Sequence, residues 1–372
     1  MNKKILLFLV CINTLLYSED FGFDMSELEQ MEVKSYEYSG YIKAEQKHQI
    51  LNESSPKYNT KNKNSMDSYL GEAYLNFKYY KNKYTFTTDF MANYENIDKS
   101  ENHNYNLNQA IVNYKYNDNH QITLGKKTSK WGKGYFFNPV AFIDRKKDPN
   151  DPEASKEGYT QFNYNYNKVY NTQIQNASFD AVYIKTTSNL NDDLYNKDSN
   201  VMALKSYILY KNVDIDFVYF YSDEVANKVG MDFSANLETN FEIHAEYAKD
   251  DDGYDSTLLG VKYLTNSDLT IISEYFYQNE IQSNTSPFWD RKYFINKFTQ
   301  KEPADLLYLS VYYKNSLNLN DNSHQNNFGI IYTGMKNLDI DFSVGKYFGN
   351  STSEFGSKLV DKFTWLQLKY SF

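Results

Sequence analysis

Hydrophobic and polar residues alternate with a period of two along most of the chain. The carboxy-terminal residues 363–372 are the clearest case, because Leu366 and Phe372 fall on one face whereas Gln367 and Lys369 fall on the other. Successive side chains of a β-strand point to opposite faces, so this pattern predicts strands with one apolar and one polar face. A barrel wall between lipid and a wet lumen requires the same pattern.

The alternation predicts about eighteen strands. After Leu16 the chain has no run of eighteen apolar residues, which excludes helical membrane spans. Sixteen strands is the alternative, because strand boundaries inferred from sequence shift by about two to four residues. The predicted strands cover residues 36–45, 68–80, 83–94, 106–116, 120–127, 158–167, 174–186, 200–210, 213–222, 228–236, 239–249, 256–264, 268–278, 289–300, 305–317, 324–333, 338–347 and 361–372.

Short polar turns and long polar loops separate these strands in turn. The turns, each between an even-numbered strand and the next odd one, include residues 81–82, 117–119, 211–212, 266–267, 302–303 and 336–337. The predicted long loops are residues 51–67, 95–105, 127–157, 187–199, 279–288 and 348–360. Outer-membrane barrels place short turns in the periplasm and long loops outside. We therefore predict an all-β protein with a single transmembrane antiparallel β-barrel over residues 36–372.

The amino terminus predicts secretion through the inner membrane. Two lysines precede an apolar stretch from Ile5 to Leu16, and Ser18 offers a small residue for cleavage. This stretch is too short to span a bilayer, so residues 1–18 are predicted to be a signal peptide. Cys11 follows no small residue, which argues against a lipoprotein anchor. Residues 19–35 are predicted to be a periplasmic segment, either a short helix or a disordered tail.

Composition narrows the function classes. The net charge of −9 disfavours nucleic-acid binding. The single cysteine, Cys11, lies in the predicted signal peptide, which excludes a disulfide framework from the mature chain. The aromatic fraction is 17%, with 37 Tyr and 25 Phe, and amphipathic tyrosines suit the interfacial girdles of a membrane barrel. An AT-rich genome would also raise the Tyr count, but it would not place aromatic residues at alternating positions.

Residues 125–158 form the longest irregular stretch. It contains the pattern Trp-Gly-x-Gly, then Asn-Pro, then Asp-Pro-x-Asp-Pro-Glu. This segment resembles a poorly characterised family of porin-like bacterial outer-membrane β-barrels in Trp131, Gly132, Gly134, Asn138, Pro139, Asp148, Pro149, Asp151, Pro152 and Glu153. The final strand, which ends on Tyr370 and Phe372, resembles the signal that the barrel-assembly machinery recognises. The resemblance implies an outer-membrane location and a barrel architecture, and it implies no substrate.

The same irregular stretch is strongly basic. Six lysines and one arginine lie between positions 126 and 147, against the single acid Asp144. One interpretation folds this loop into the lumen, where a positive constriction facing acidic walls would bias ion selectivity. The other leaves it outside as a solvated surface that neutralises lipopolysaccharide. The candidate constriction residues are Lys126, Lys127, Lys130, Trp131, Lys133, Arg145, Lys146 and Lys147.

Acidic and histidine side chains recur on the polar faces of several predicted strands. A charge on the lipid face near mid-membrane costs about 2–4 kcal/mol for Arg or Lys and less for Asp or Glu, so these groups are predicted to line a wet lumen. The candidate lumen-lining residues are Asp214, Asp216, Glu242, His244, Glu246, Asp339 and Asp341.

Catalytic and metal signals are weak. The five histidines are isolated from one another, and the sequence has neither a Gly-x-Ser-x-Gly elbow nor a P-loop. Residues 250–255 are rich in Asp but lack the twelfth-position Glu and the flanking helices of a calcium loop. We therefore predict no enzyme activity, no metal and no cofactor.

The leading functional prediction is a porin-like channel for small hydrophilic solutes or ions. At about eighteen strands the interior is wider than its side chains can fill. The alternative is a non-conducting barrel that docks another protein in an envelope export or assembly system. The expected partners are outer-membrane lipid and lipopolysaccharide, the barrel-assembly machinery and small polar solutes, with no nucleic acid. The sequence leaves the oligomeric state open.

Overall fold

The computed structural model describes residues 34–58, 63–194, 198–279 and 292–372. The predicted signal peptide 1–18 and nearly all of the predicted segment 19–35 lie outside these residues. So do most of the predicted loop 279–288 and the first three residues of the predicted strand 289–300.

The described residues form eighteen β-strands. Their bounds are β1 Tyr36–Leu51, β2 Ser65–Lys81, β3 Tyr84–Ile97, β4 Ser100–Lys115, β5 His120–Lys127, β6 Tyr159–Val169, β7 Ile174–Thr186, β8 Ser199–Tyr210, β9 Val213–Ser222, β10 Lys228–Glu238, β11 Phe241–Asp250, β12 Asp255–Leu264, β13 Leu269–Gln278, β14 Lys292–Lys301, β15 Leu309–Asn318, β16 His324–Met335, β17 Leu338–Phe348 and β18 Val360–Ser371. The prediction of eighteen strands is confirmed. Within the described ranges, no helix is long and apolar enough to cross a membrane.

Each strand pairs antiparallel with its sequence neighbours, and β1 pairs with β18. The last contact closes the sheet into a barrel with no free edge. At this seam the backbone N–H of Gly40 donates to the carbonyl of Phe372 at 2.9 Å, and the N–H of Phe372 donates to the carbonyl of Gly40 at 3.0 Å. Closure satisfies the backbone groups of every strand, which a lipid environment requires.

Tight turns set the register of the strand pairs that they join, and they occur at both ends of the barrel. Lys211 and Asn212 both have positive φ, as the two central residues of a type I′ hairpin turn do. The same geometry at Asp98 and Lys99 joins β3 to β4, so the predicted long loop 95–105 is wrong. Both strands continue to that turn, where Ile97 of β3 pairs with Ser100 of β4. Conversely, the predicted short turn at 302–303 is longer and extends over residues 302–308, including a single 3-10 turn at Pro303–Asp305.

The two faces of the wall differ as the alternation predicts. On β9, Phe217 and Tyr219 are exposed on the outside, whereas Asp216 and Phe220 are completely buried on the inside. The inner face is therefore not uniformly polar. In the half of the barrel formed by β7–β14 it carries apolar side chains as well as carboxylates, and the irregular segment 128–158 packs against them.

Candidate functional site

The segment 128–158 between β5 and β6 is held in the lumen by a carboxylate of the wall. Glu246 on β11 is 1% exposed. Its Oε1 accepts the backbone N–H groups of Lys133 and Gly134, both at 2.6 Å, and its Oε2 accepts that of Val140 at 3.2 Å. We call residues 128–158 the lumen loop. Three peptide donors satisfy the buried carboxylate, as buried charges require.

A second wall carboxylate, Glu274 on β13, binds the next two residues of the lumen loop. It is fully buried and accepts the backbone N–H groups of Tyr135 and Phe136, the latter at 2.9 Å. His244 Nε2 lies 2.9 Å from Glu274 Oε1, and His244 Nδ1 lies 3.4 Å from Glu242. His244 thus lies between two carboxylates. A Cβ at residue 260 on β12 would clash with the His244 ring, so this position requires glycine.

Burial raises the pKa of the Tyr135 hydroxyl, and the carboxylate of Glu242 raises it further. The hydroxyl donates to Glu242 Oε2 at 3.1 Å. Tyr135 therefore stays protonated at neutral pH and acts as a hydrogen-bond donor to the wall.

Lys133 of the lumen loop forms an ion pair with the wall. Its Nζ lies 3.0 Å from Asp216 on β9 and 3.9 Å from Asp232 on β10, and Lys205 lies 3.2 Å from Asp216 on the other side. Burial lowers the pKa of Lys133, but the carboxylate of Asp216 outweighs this effect and the pKa is raised. Asp232 pairs in register with both Asp216 and Glu246, so three acids lie in one row across β9–β11.

Backbone geometry lets the lumen loop approach the wall closely. Gly132 has φ +98°, and a Cβ there would lie 2.8 Å from Glu246 Oε1. Asp144 fixes the start of the loop by accepting the backbone N–H groups of Ser129 at 2.7 Å and Trp131 at 3.0 Å. Trp131 is 6% exposed and packs with Val140 against inward-facing residues of β7–β9 and β11. Apolar packing and polar anchoring thus act together.

The basic residues of the loop are mostly paired rather than facing open water. Arg145 forms ion pairs with Asp193 and Glu157, Lys126 pairs with Glu157, and Lys147 Nζ donates to the carbonyl of Gly134. Lys127 ends β5 and is half-buried, while Lys130 and Lys146 are exposed. The field of the loop is therefore weaker than its count of charges suggested.

The predicted lumen-lining residues divide into two groups. Asp216, His244 and Glu246 face inward but are buried under the lumen loop, so the expectation that they line water is wrong for these three. The alternation within a single strand does not encode the apolar and peptide groups that cover these side chains. The other four, Asp214, Glu242, Asp339 and Asp341, are partly exposed on the inner face. Asp214 accepts a hydrogen bond from Tyr207, and Asp341 accepts one from Tyr312. Asp339 is the cross-strand partner of Lys369.

A second inward-folded loop was missed by the sequence analysis. Residues 349–359, predicted to be an external loop, bury Phe355 completely and Glu354 to 3% exposure. Glu354 Oε2 accepts hydrogen bonds from Tyr293 at 2.7 Å and Asn318 at 2.8 Å. Glu274 was missed as well, although its position on the polar side of the alternating sequence of β13 was an available signal. In the described part of the chain, no group of three His, Cys, Asp or Glu residues is arranged to hold a metal ion.

Solved structures of other β-barrels share this fold at low sequence identity. OccAB4 of Acinetobacter baumannii has a TM-score of 0.56 and 12% identity, with 91% of this chain and 98% of that chain covered. OccK2 of Pseudomonas aeruginosa, solved in complex with glucuronate, has a TM-score of 0.60 and 8% identity, with 91% and 96% covered. Wzi of Escherichia coli, a carbohydrate-binding β-barrel involved in group 1 capsule assembly, has a TM-score of 0.56 and 12% identity, with 91% and 84% covered.

The family model described as phosphate-selective porin O and P matches residues 42–203, somewhat under half of the chain. This chain has the fold of the porin-like outer-membrane β-barrels. The matched residues include the lumen loop and the strands that flank it. No curated protein matches the sequence. The family match and the fold support an outer-membrane channel for small solutes, and the alternative of a non-conducting partner barrel is not favoured.

Proposed function

We propose that the porin-like barrel conducts small hydrophilic solutes or ions through a lumen that the lumen loop narrows. The observation that carries this proposal is the capture of five loop N–H groups by Glu246 and Glu274. Both carboxylates are buried on the inner face of the wall, so a loop bound to them occupies part of the cross-section. An eighteen-stranded barrel without such a loop would leave a wide aqueous channel.

We infer that the conducting path runs along the wall to which β1 and β2 contribute. That wall carries a mixture of charges, with Lys43 of β1 lying 3.0 Å from Glu45 and 3.1 Å from Glu72. Lys314 of β15 donates to the carbonyl of Pro149 in the lumen loop. Paired charges of both signs along a narrow wet path suit polar solutes, which exchange water for these groups during passage. The glucuronate of OccK2 is a small anionic solute of this kind.

We also propose how the chain is exported and inserted into the outer membrane. Residues 1–18 act as a signal peptide that is cleaved after Ser18, and residues 19–35 form a periplasmic segment. The barrel-assembly machinery inserts the chain through its aromatic carboxy-terminal strand. Outer-membrane lipid and lipopolysaccharide surround the exposed apolar outer face.

Planar-bilayer recording tests the channel and the constriction together. We expect the purified protein to show steady single-channel conductance, and Glu246→Gln/Glu274→Gln to show larger, noisier conductance because the loop loses its charged anchors. Glu238→Gln, at the exposed end of β10, is the matched control and should behave as the native protein does. A silent native protein would refute the channel, and equal conductance of the double variant would refute the loop as its narrowest part.

A further inference from the structure

An outward-facing groove at the long-loop end of the barrel contains two adjacent lysines. Lys346 on β17 and Lys362 on β18 are direct cross-strand partners, and both side chains are exposed. Like charges directly opposite one another destabilise a sheet. Among the residues that the structure describes, no carboxylate lies within ion-pair distance of either lysine. The two lysines therefore repel one another, and a bound anion would relieve this repulsion.

The position of the lysine pair along the barrel axis indicates which part of the membrane surrounds it. Lys346 lies two residues before the end of β17, and Lys362 lies two residues after the start of β18, next to the long loop 349–359. Below them on the same outward face come Val344 and Leu366, which are exposed apolar residues of the lipid-facing band. Long loops of such barrels face the cell exterior, so the pair lies at the headgroup level of the outer leaflet.

The groove between these strands lies beside both lysines, and its lining is mainly apolar. It has a volume of about 450 Å³, within the range of small-molecule sites. Phe348 flanks it, with the Nζ of Lys346 5.1 Å from the ring centroid. On the other side, Asn326 is the cross-strand partner of Lys346, and its amide oxygen accepts hydrogen bonds from Tyr313 at 3.0 Å and Asn315 at 2.7 Å. Two ammonium groups beside a mainly apolar groove match the phosphate and the acyl chains of a phosphorylated lipid.

We propose that this groove binds the phosphorylated glucosamine headgroup of a lipid A molecule in the outer leaflet. A phosphate placed between Lys346 and Lys362 would accept charge-assisted hydrogen bonds from both. The acyl chains would lie down the apolar face beneath Val344 and Leu366. Charge complementarity selects this occupant, because a second copy of the chain would bring the same two lysines or another mainly apolar outer face.

Native mass spectrometry of the full-length protein, purified in mild detergent from lipid A-containing outer membranes, tests the proposal. We expect the native barrel to retain one lipid A molecule and Lys346→Ser/Lys362→Ser to lose it. The matched control is Lys185→Ser/Lys249→Ser, which removes two other outward-facing lysines at the same end and should keep the lipid. Heat-modifiable migration on gels verifies that all variants are folded.

Titration of the delipidated native protein gives a second measurement that needs no substitution. Bisphosphorylated lipid A should bind, whereas dephosphorylated lipid A should bind much more weakly, and the double variant should bind bisphosphorylated lipid A about 30-fold more weakly than the native protein. Equal retention by the two double variants, or equal binding of the two lipids, would overturn the proposal. A dimer that Lys346→Ser/Lys362→Ser dissociates would overturn it in favour of a second copy.

Discussion

The Nζ of Lys133 lies 3.0 Å from Oδ2 of Asp216, so a cation of the lumen loop is neutralised by the wall that it faces. The Asp216 side chain is completely buried, while that of Lys133 is 23% exposed. A positive loop against an acidic wall was predicted, but the contact is an ion pair at the loop's anchor rather than a field across open water. Its main consequence is therefore the position of the loop.

Substitution of Lys133 should loosen the lumen loop. In Lys133→Met, Asp216 keeps only Lys205 as a cationic partner, and a buried carboxylate that loses a partner costs about 1–3 kcal/mol. We expect a lower unfolding midpoint in urea with the detergent-solubilised protein. Lys130→Met, which changes an exposed lysine three residues earlier, should change the free energy of unfolding by no more than about 0.5 kcal/mol. Equal losses in the two variants would contradict the anchoring role of Lys133.

The exposed lysines of the same loop should affect selectivity instead. Lys130 and Lys146 are both exposed, so we expect their charges to act on passing ions. We expect Lys130→Ser/Lys146→Ser to reduce anion preference, measured as a shift of the reversal potential in a salt gradient. Lys185→Ser, on the outward face of β7, should leave the potential unchanged. An unshifted potential in the double variant would place both lysines away from the conducting path.

The sequence predicted the wall better than the contents of the barrel. Alternation at period two is a local property, and the bounds of β5, β7 and β9 agree with the predicted ranges. The turn at Asp98 and Lys99 was obscured because the ends of β3 and β4 are polar and look like a loop. Such ends extend beyond the lipid, where no apolar face is required.

The pairing of loop charges depends on contacts that sequence spacing does not encode. Glu246 and the loop N–H groups that it accepts are separated by more than a hundred residues. An acid on the polar face of a strand looks the same whether it meets water or a peptide group. Residues 126–147 do carry an excess of basic side chains. The acids that pair with Arg145, namely Glu157 and Asp193, lie outside these residues.

Adjacent residues on β18 allow a direct test of the two faces. Leu366 is 39% exposed on the outer face, and Gln367 is half-buried on the inner face opposite Glu45 and Asp341. We expect Leu366→Arg to lower the free energy of unfolding by about 2–4 kcal/mol if the site is near mid-membrane, because the charge faces lipid. Gln367→Arg faces water and two acids, so its effect should be small. Similar losses in equilibrium unfolding of bilayer-inserted protein would refute the register.

The carboxy-terminal aromatic residue should be required for assembly. Phe372 exchanges two backbone hydrogen bonds with Gly40 across the seam that closes the barrel, and its ring approaches Gly40 so closely that a Cβ there would lie 2.8 Å from the ring. Deletion of Phe372 should lower the amount of protein in the outer membrane and raise degradation in the periplasm, measured by fractionation and immunoblotting. Leu368→Ala, on the same face of β18, is the control. Normal levels of the deletion variant would show that the seam closes without this residue.

Lys156 should make the channel sensitive to alkaline pH. Burial lowers the pKa of Lys156 to about 8, with Lys147 as a further cause, and its Nζ donates to the carbonyl of Arg145 at 3.2 Å. Because the folded protein releases this proton at lower pH than the unfolded chain does, the protonated lysine opposes folding below about 8. Stability from this residue therefore rises as the pH increases from about 8 towards the ordinary lysine pKa. The same deprotonation removes a positive charge from the lumen loop of the folded protein, so anion preference should fall as the pH passes through about 8. Reversal potentials and unfolding midpoints recorded at a series of pH values should show both changes in the native protein and lose them in Lys156→Gln. A pH dependence that persists in Lys156→Gln would assign it to another group.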